Sequence, residues 1–221
     1  MDSQSVISVR GEARLEVEPE IALLGVTVMA HDKDRRRALN LLAGRARAVA
    51  DLIKGYGEAV EKLESGPARV HPAFRDGKGR ERVTGYVARA GFSVTVGDFT
   101  VVGELVPRLA AEEMVEVTGP AWQLRLGSQA HRQVRLAAAR DATQRAREYA
   151  EAFGGRVTGL VEAADTGLLG AAQDDRRAPR ALQAGGLEEP ELPEFDFEPA
   201  RQTVHAQVEA RFTMTAPQFG E

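Results

Sequence analysis

The side chains best suited to metal binding or proton transfer are four histidines, His31, His71, His131 and His205. No two of them stand four residues apart, and no HExxH is present, so a helical zinc site is not indicated. His205 falls on the polar side of an alternating run and reads as a solvated or hydrogen-bonded surface histidine. Ser128 precedes His131 by three positions, but no Gly-x-Ser-x-Gly elbow surrounds it and no third group or oxyanion donor is marked nearby. Ser128 reads instead as the N-cap of the helix that follows. Asp76-Gly77-Lys78-Gly79 has the composition of a phosphate loop. It lacks the GxxxxGK[ST] spacing and leads into a strand rather than a helix, so a hairpin turn is expected. Glu12, Glu16 and Glu18 are close enough for carboxylate chemistry with a metal or a proton. A solvated strand face accounts for the same spacing. With no cysteine in the chain, disulfides, thiolate nucleophiles and thiolate-ligated metals are all removed. The expectation is therefore no catalytic, cofactor-binding or metal-binding residue, no cofactor, and a protein that is not an enzyme.

These side chains must be positioned by elements that the periodicity makes visible. Residues 6–17 alternate: Ile7, Val9, Ala13, Leu15 and Val17 share one face, and Ser8, Arg10, Glu12, Arg14 and Glu16 the other. Glu18-Pro19 is a turn, and residues 21–29 form a second, more buried strand. Asp32 or Asp34 caps a helix whose stripe is Ala38, Leu42, Ala46, Val49 and Ile53, ended by Gly55 and Gly57. A strand over 58–74, broken near Gly66-Pro67, returns as a strand over 82–96. There Tyr86, Ala88, Ala90, Phe92, Val94 and Val96 face one way, and Arg89, Ser93 and Thr95 the other. Asp98 caps a second helix, and a strand over 115–126 breaks at Gly119-Pro120. The longest helix carries the stripe Val134, Ala138, Ala142, Ala146, Tyr149 and Phe153, whose alanines predict close packing on a sheet. Strands over 157–163 and 204–214 complete the pattern.

The order β-β-α-β-β-α-β-α-β-(loop)-β predicts an α+β fold: a mostly antiparallel sheet with helices on one side and a split βαβ, ferredoxin-like core. A single domain over residues 1–221 is expected, with residues 166–200 a long acidic, proline-containing, flexible loop inside it.

With 29 Lys and Arg against 33 Asp and Glu, the net charge is −4, which argues against broad nucleic-acid binding. Arg35, Arg36, Arg132, Arg135, Arg140 and Arg147 read as solvated helix faces. No apolar run approaches the ~20 residues of a membrane helix. The opening Met-Asp-Ser-Gln-Ser has no secretory pattern, so the cytoplasm is the expected location. The segment least explained by framework runs from Glu188 to Glu198. It sets Glu188, Glu189 and Glu191 beside Leu192, Phe195 and Phe197, with no basic residue. Such a stretch suits docking on a basic, apolar groove of a partner or neighbouring subunit, or tucking its two phenylalanines onto its own domain.

The run Ile7-Ser8-Val9-Arg10-Gly11-Glu12-Ala13, the Glu18-Pro19-Glu20 turn and Leu24-Gly25-Val26 resemble the opening of the SIMPL-domain family. Gly85-Tyr86 through Val94-Thr95-Val96-Gly97-Asp98, the alanine-rich helix from Ala137 to Gly155, and Val157-Thr158-Gly159-Leu160-Val161 continue that resemblance over nearly the whole chain. Glu20 stands where the family commonly has Asp. The family includes bacterial periplasmic and outer-membrane-associated antigens and a mammalian signalling-associated protein, and some members resemble channel-like rings. The resemblance implies an α+β fold of undefined biochemical role, with no catalytic residues to carry over. Together these readings lead to an oligomeric assembly or adaptor module engaging itself or a protein partner. The alternatives are a small-ligand-binding module and a metal-dependent hydrolase with a carboxylate site.

Overall fold

The computed structural model describes residues 5–75, 82–168 and 197–217. Its elements are β1 (Ser5–Val17), β2 (Ile21–Asp32), α1 (Arg35–Lys54), β3 (Val60–Ser65), β4 (Arg69–Arg75), β5 (Arg82–Val96), α2 (Val102–Ala110), β6 (Val115–Gln123), α3 (Gln129–Ala152), β7 (Val157–Asp165) and β8 (Gln202–Met214). The fold is α+β, with antiparallel sheets and helices packed against them. Two compact units are present. One comprises Met1–Val17, Leu126–Leu187 and Arg201–Glu221, the other Glu18–Arg125 and Glu188–Ala200.

In the first unit β8 lies between β1 and β7 and is antiparallel to both. The alternation of β1 aims Ile7 and Gly11 inward, while Ser8, Arg10, Glu12, Arg14 and Glu16 are exposed. Helix α3 covers the inner face. Ser128 caps it, its hydroxyl accepting from the Ala130 amide at 3.2 Å. The buried stripe is Ala130, Val134, Ala138, Ala142, Ala146 and Ala150, a strict step of four. Tyr149 and Phe153, expected on this stripe, are instead 52% and 48% exposed. The ridge that meets the sheet continues in steps of four, so Ala150 takes the inward position and its neighbour Tyr149 turns out. Small side chains let the two backbones touch. A Cβ at Gly11 would lie 2.1 Å from the Ala138 carbonyl oxygen and 2.5 Å from the Ala142 nitrogen.

In the second unit the strand order is β3-β5-β2-β6, every neighbouring pair antiparallel, with β4 also on β5. Taken with α1 and α2, this is the split βαβ arrangement of a ferredoxin-like unit. The expected break near Gly66-Pro67 separates β3 from β4, which lie in succession along β5. Across the break the Gly66 amide donates to the Gly91 carbonyl at 2.7 Å. Alternate residues of β2, from Ala22 to Ala30, are buried beneath the helices. There they join Ala38, Leu42, Val49 and Ile53 of α1 and Val102, Leu105, Val106 and Leu109 of α2 in one apolar core.

The helix starts follow the capping residues. Asp34 accepts from the Arg37 amide at 2.9 Å. Asp98 accepts from the hydroxyl and amide of Thr100, which hold its carboxyl below the ordinary carboxylate range. Tyr56 ties the end of α1 to α2, donating to Glu104 at 3.1 Å and accepting from Arg108 at 3.1 Å. Burial pushes its phenol above the ordinary value of 10.0, with Arg108 opposing the rise. No helix of the described residues is long and apolar enough to cross a membrane.

Candidate functional site

In the second unit the helices cover one face of the sheet and leave the other open. Because side chains alternate, the odd-numbered residues of β2 and β5 share that open face, and strand pairing sets them in rows. His31 of β2 and His71 of β4 both stand opposite Val87 of β5. One row along, Met29 and Arg69 stand on either side of Arg89. In the next row Thr27 pairs with Gly91. Where the edge strand breaks, a cleft of about 650 Å³ opens, lined by Thr27, Pro67, Arg69, His71, Arg89 and Gly91. The His31 ring lies over the glycine of the facing strand, since a Cβ at Gly85 would come within 2.8 Å of its Nε2.

The charge at this cleft is one-sided. Arg69 and Arg89 are direct cross-strand partners and both are exposed. Among the described residues neither takes part in an ion pair or a side-chain hydrogen bond. The described acids on the same face stand off from the pair. Glu116 of β6, opposite Thr27, is two strands from β5, and Glu64 of β3, opposite Ser93, is four residues along β5 from Arg89 and pairs with Lys62 at 2.8 Å.

A second feature continues along the same strands. The pairing of β2 with β5 ends at Asp32 and Tyr86, while β4 and β5 remain paired to Arg75 and Arg82. The extension is a two-stranded ribbon. Phe74 and Val83 stand opposite each other on it, 55% and 47% exposed. The Asp76–Gly79 turn lies outside the described residues, but the strands flanking it pair antiparallel, as a hairpin requires.

The other singled-out residues fall elsewhere. Glu188, Glu189, Glu191, Leu192 and Phe195 lie outside the described residues. Phe197 is partly buried against the core of the second unit. Ser128 is engaged as a helix cap, and the His131 amide donates to its carbonyl at 3.3 Å. Glu12 and Glu16 are exposed on β1. Glu12 accepts from Gln207 at 3.4 Å, and Glu16 pairs with Arg14 at 3.1 Å. Among the described residues no group of three His, Asp or Glu side chains could hold a metal ion. The facing of Arg69 and Arg89 was missed in the sequence. The hairpin signal at Asp76–Gly79 makes their strands neighbours, but a register shift between Ala73 and Phe74 displaces the pairing that counting from the turn would give.

No curated protein matches this chain. A family model described as "Protein of unknown function (DUF541)" matches residues 7–212, almost the full length of 221 residues. The order of strands, the Gly11 contact beneath the alanine helix and the closing strand β8 are thus framework over which a family match extends, and the chain belongs to the SIMPL family.

Proposed function

We propose that this protein is a non-enzymatic assembly or adaptor module that works through its surfaces. The observation that carries the reading is the β4–β5 ribbon, whose facing Phe74 and Val83 stay exposed beyond the end of β2. An apolar cross-strand pair on a two-stranded ribbon gains stability from cover that the ribbon alone does not supply. A second copy or a protein partner can provide it. The acidic stretch containing Glu188, Glu189, Glu191, Leu192 and Phe195, next to the core-packed Phe197, is the second proposed contact, suited to a basic and apolar groove. Mass in solution tests both. The full chain should sediment above its 23.9 kDa monomer mass. Phe74→Ser with Val83→Ser, or removal of residues 188–196, which spares the core-packed Phe197, should lower that mass. A strict monomer that captures no partner would overturn the proposal.

A further inference from the structure

Arginines on exposed sheet faces ordinarily find acids on neighbouring strands, and the first unit does this: Arg10 pairs with Glu209 at 3.0 Å and Arg211 with Glu162 at 3.7 Å. The cleft of the second unit departs from that habit. Like charges placed directly across a strand pair repel, yet Arg69 and Arg89 are set in register with no acid of the described residues against them. His71 adds ring nitrogens that can donate or accept in the next row. The floor offers little steric bulk at Gly91, and Thr27 adds a hydroxyl. Two guanidinium groups side by side, each a planar fork of donors, match neighbouring anionic oxygens better than a single ammonium does.

We propose that this cleft is a binding site for a small ligand carrying at least two neighbouring anionic groups, phosphate or carboxylate. Arg69 and Arg89 clamp the oxygens, and His71 and Thr27 orient the ligand from the sides. The bound anion supplies the counter-charge that no described acid places against the two arginines, so binding and relief of repulsion act together. Pro67 and Val87 flank the arginines and give an apolar part of such a ligand a place to rest. This site stands apart from the proposed assembly ribbon, and either can fail without the other.

Titration calorimetry on the full chain at low ionic strength tests it, with sodium pyrophosphate in one series and citrate in the other. Saturable binding of one anion per chain is expected, and the preferred series tells phosphate from carboxylate. Arg69→Gln and Arg89→Gln should each weaken binding at least about tenfold, and the double variant should show no saturation. Arg10→Gln, on the other sheet, should bind like the parent and so controls for general charge. Arg89→Lys keeps the charge and loses the fork, and should fall between parent and Arg89→Gln. Melting curves without anion should show the Gln variants folded, with midpoints no lower than the parent's. No saturable binding by the parent would overturn the proposal. So would undiminished binding by the double variant, or binding restricted to a long acidic peptide with neither small anion taken up. The mass of the protein in solution is expected not to change in any of these variants, so a monomeric result leaves this test intact.

Discussion

On the outer face of β1, β8 and β7, arginine meets carboxylate: Arg10 with Glu209, Arg14 with Glu16, Arg211 with Glu162. On the open face of β2, β5 and β4, arginine meets arginine. Both faces belong to antiparallel sheets covered by helices on the opposite side, and both follow from the same alternation of side chains. The covered faces differ as well. In the first unit a stripe of alanines brings a helix backbone against Gly11. In the second, larger aliphatic side chains such as Leu24, Ile53 and Leu105 fill the space between layers. A sheet with paired charges outside and backbone contact inside serves structure on both sides. The second sheet has an aliphatic core inside and outside, beside the Lys62–Glu64 pair, two facing arginines that no described acid meets.

Four substitutions break or sharpen this contrast, in falling order of effect. Gly11→Leu places a side chain where the Ala138 and Ala142 backbone atoms already stand, and no rotamer avoids them. It should lower the stability of the first unit by at least about 3 kcal/mol, at the upper end of overpacking costs. Denaturant melts and loss of amide protection in β1, β8 and α3 would register it. Retained protection there would show that the helix can slide away. Ile53→Val in the second unit removes one buried methylene from an aliphatic core and should cost only about 1 kcal/mol in the same melts. Equal sensitivity at both sites would erase the distinction between the two kinds of packing. The smallest effects carry opposite signs. Arg10→Gln should lower stability, and Arg89→Gln should raise it, each by about 0.5 kcal/mol. Both differences should shrink as salt is raised toward 1 M, because screening removes attraction and repulsion alike. Two shifts of the same sign at low salt would refute the charge contrast.

Most of the framework was legible in the sequence because it is periodic. The alternation of residues 6–17, the caps and the glycines after α1 and α3 each act over a few residues. Ser128 caps α3 as read, Asp34 is the one of the two candidates that caps α1, and Asp98 caps the 3-10 turn Phe99–Val101 that leads into α2. Tyr149 and Phe153 were misplaced because a step of three and a step of four are equally plausible until the sheet beneath selects one. The arginine pair was not legible for a different reason. Arg69 and Arg89 are 20 positions apart, and whether they face each other depends on a register shift near Phe74 that no local pattern announces. That no described acid stands against them is a property of three strands together. The acidic stretch, by contrast, is conspicuous in composition, but only Phe197 and Glu198 within it are described, Phe197 packed on its own unit.

The pairing of β1 with β8 has a consequence for synthesis. Arg10 and Glu209 face each other across the ladder although 199 positions separate them in the chain. At about 5–20 residues per second, the ribosome delivers β8 roughly ten to forty seconds after β1. The second unit is nearly contiguous from Glu18 to Arg125 and has its strands complete well before then. Throughout that interval β1 is a 13-residue strand with its partner still unmade. Its alternating Arg and Glu side chains, beyond forming the later ion pairs, keep that waiting strand soluble and discourage it from pairing with a neighbouring nascent chain.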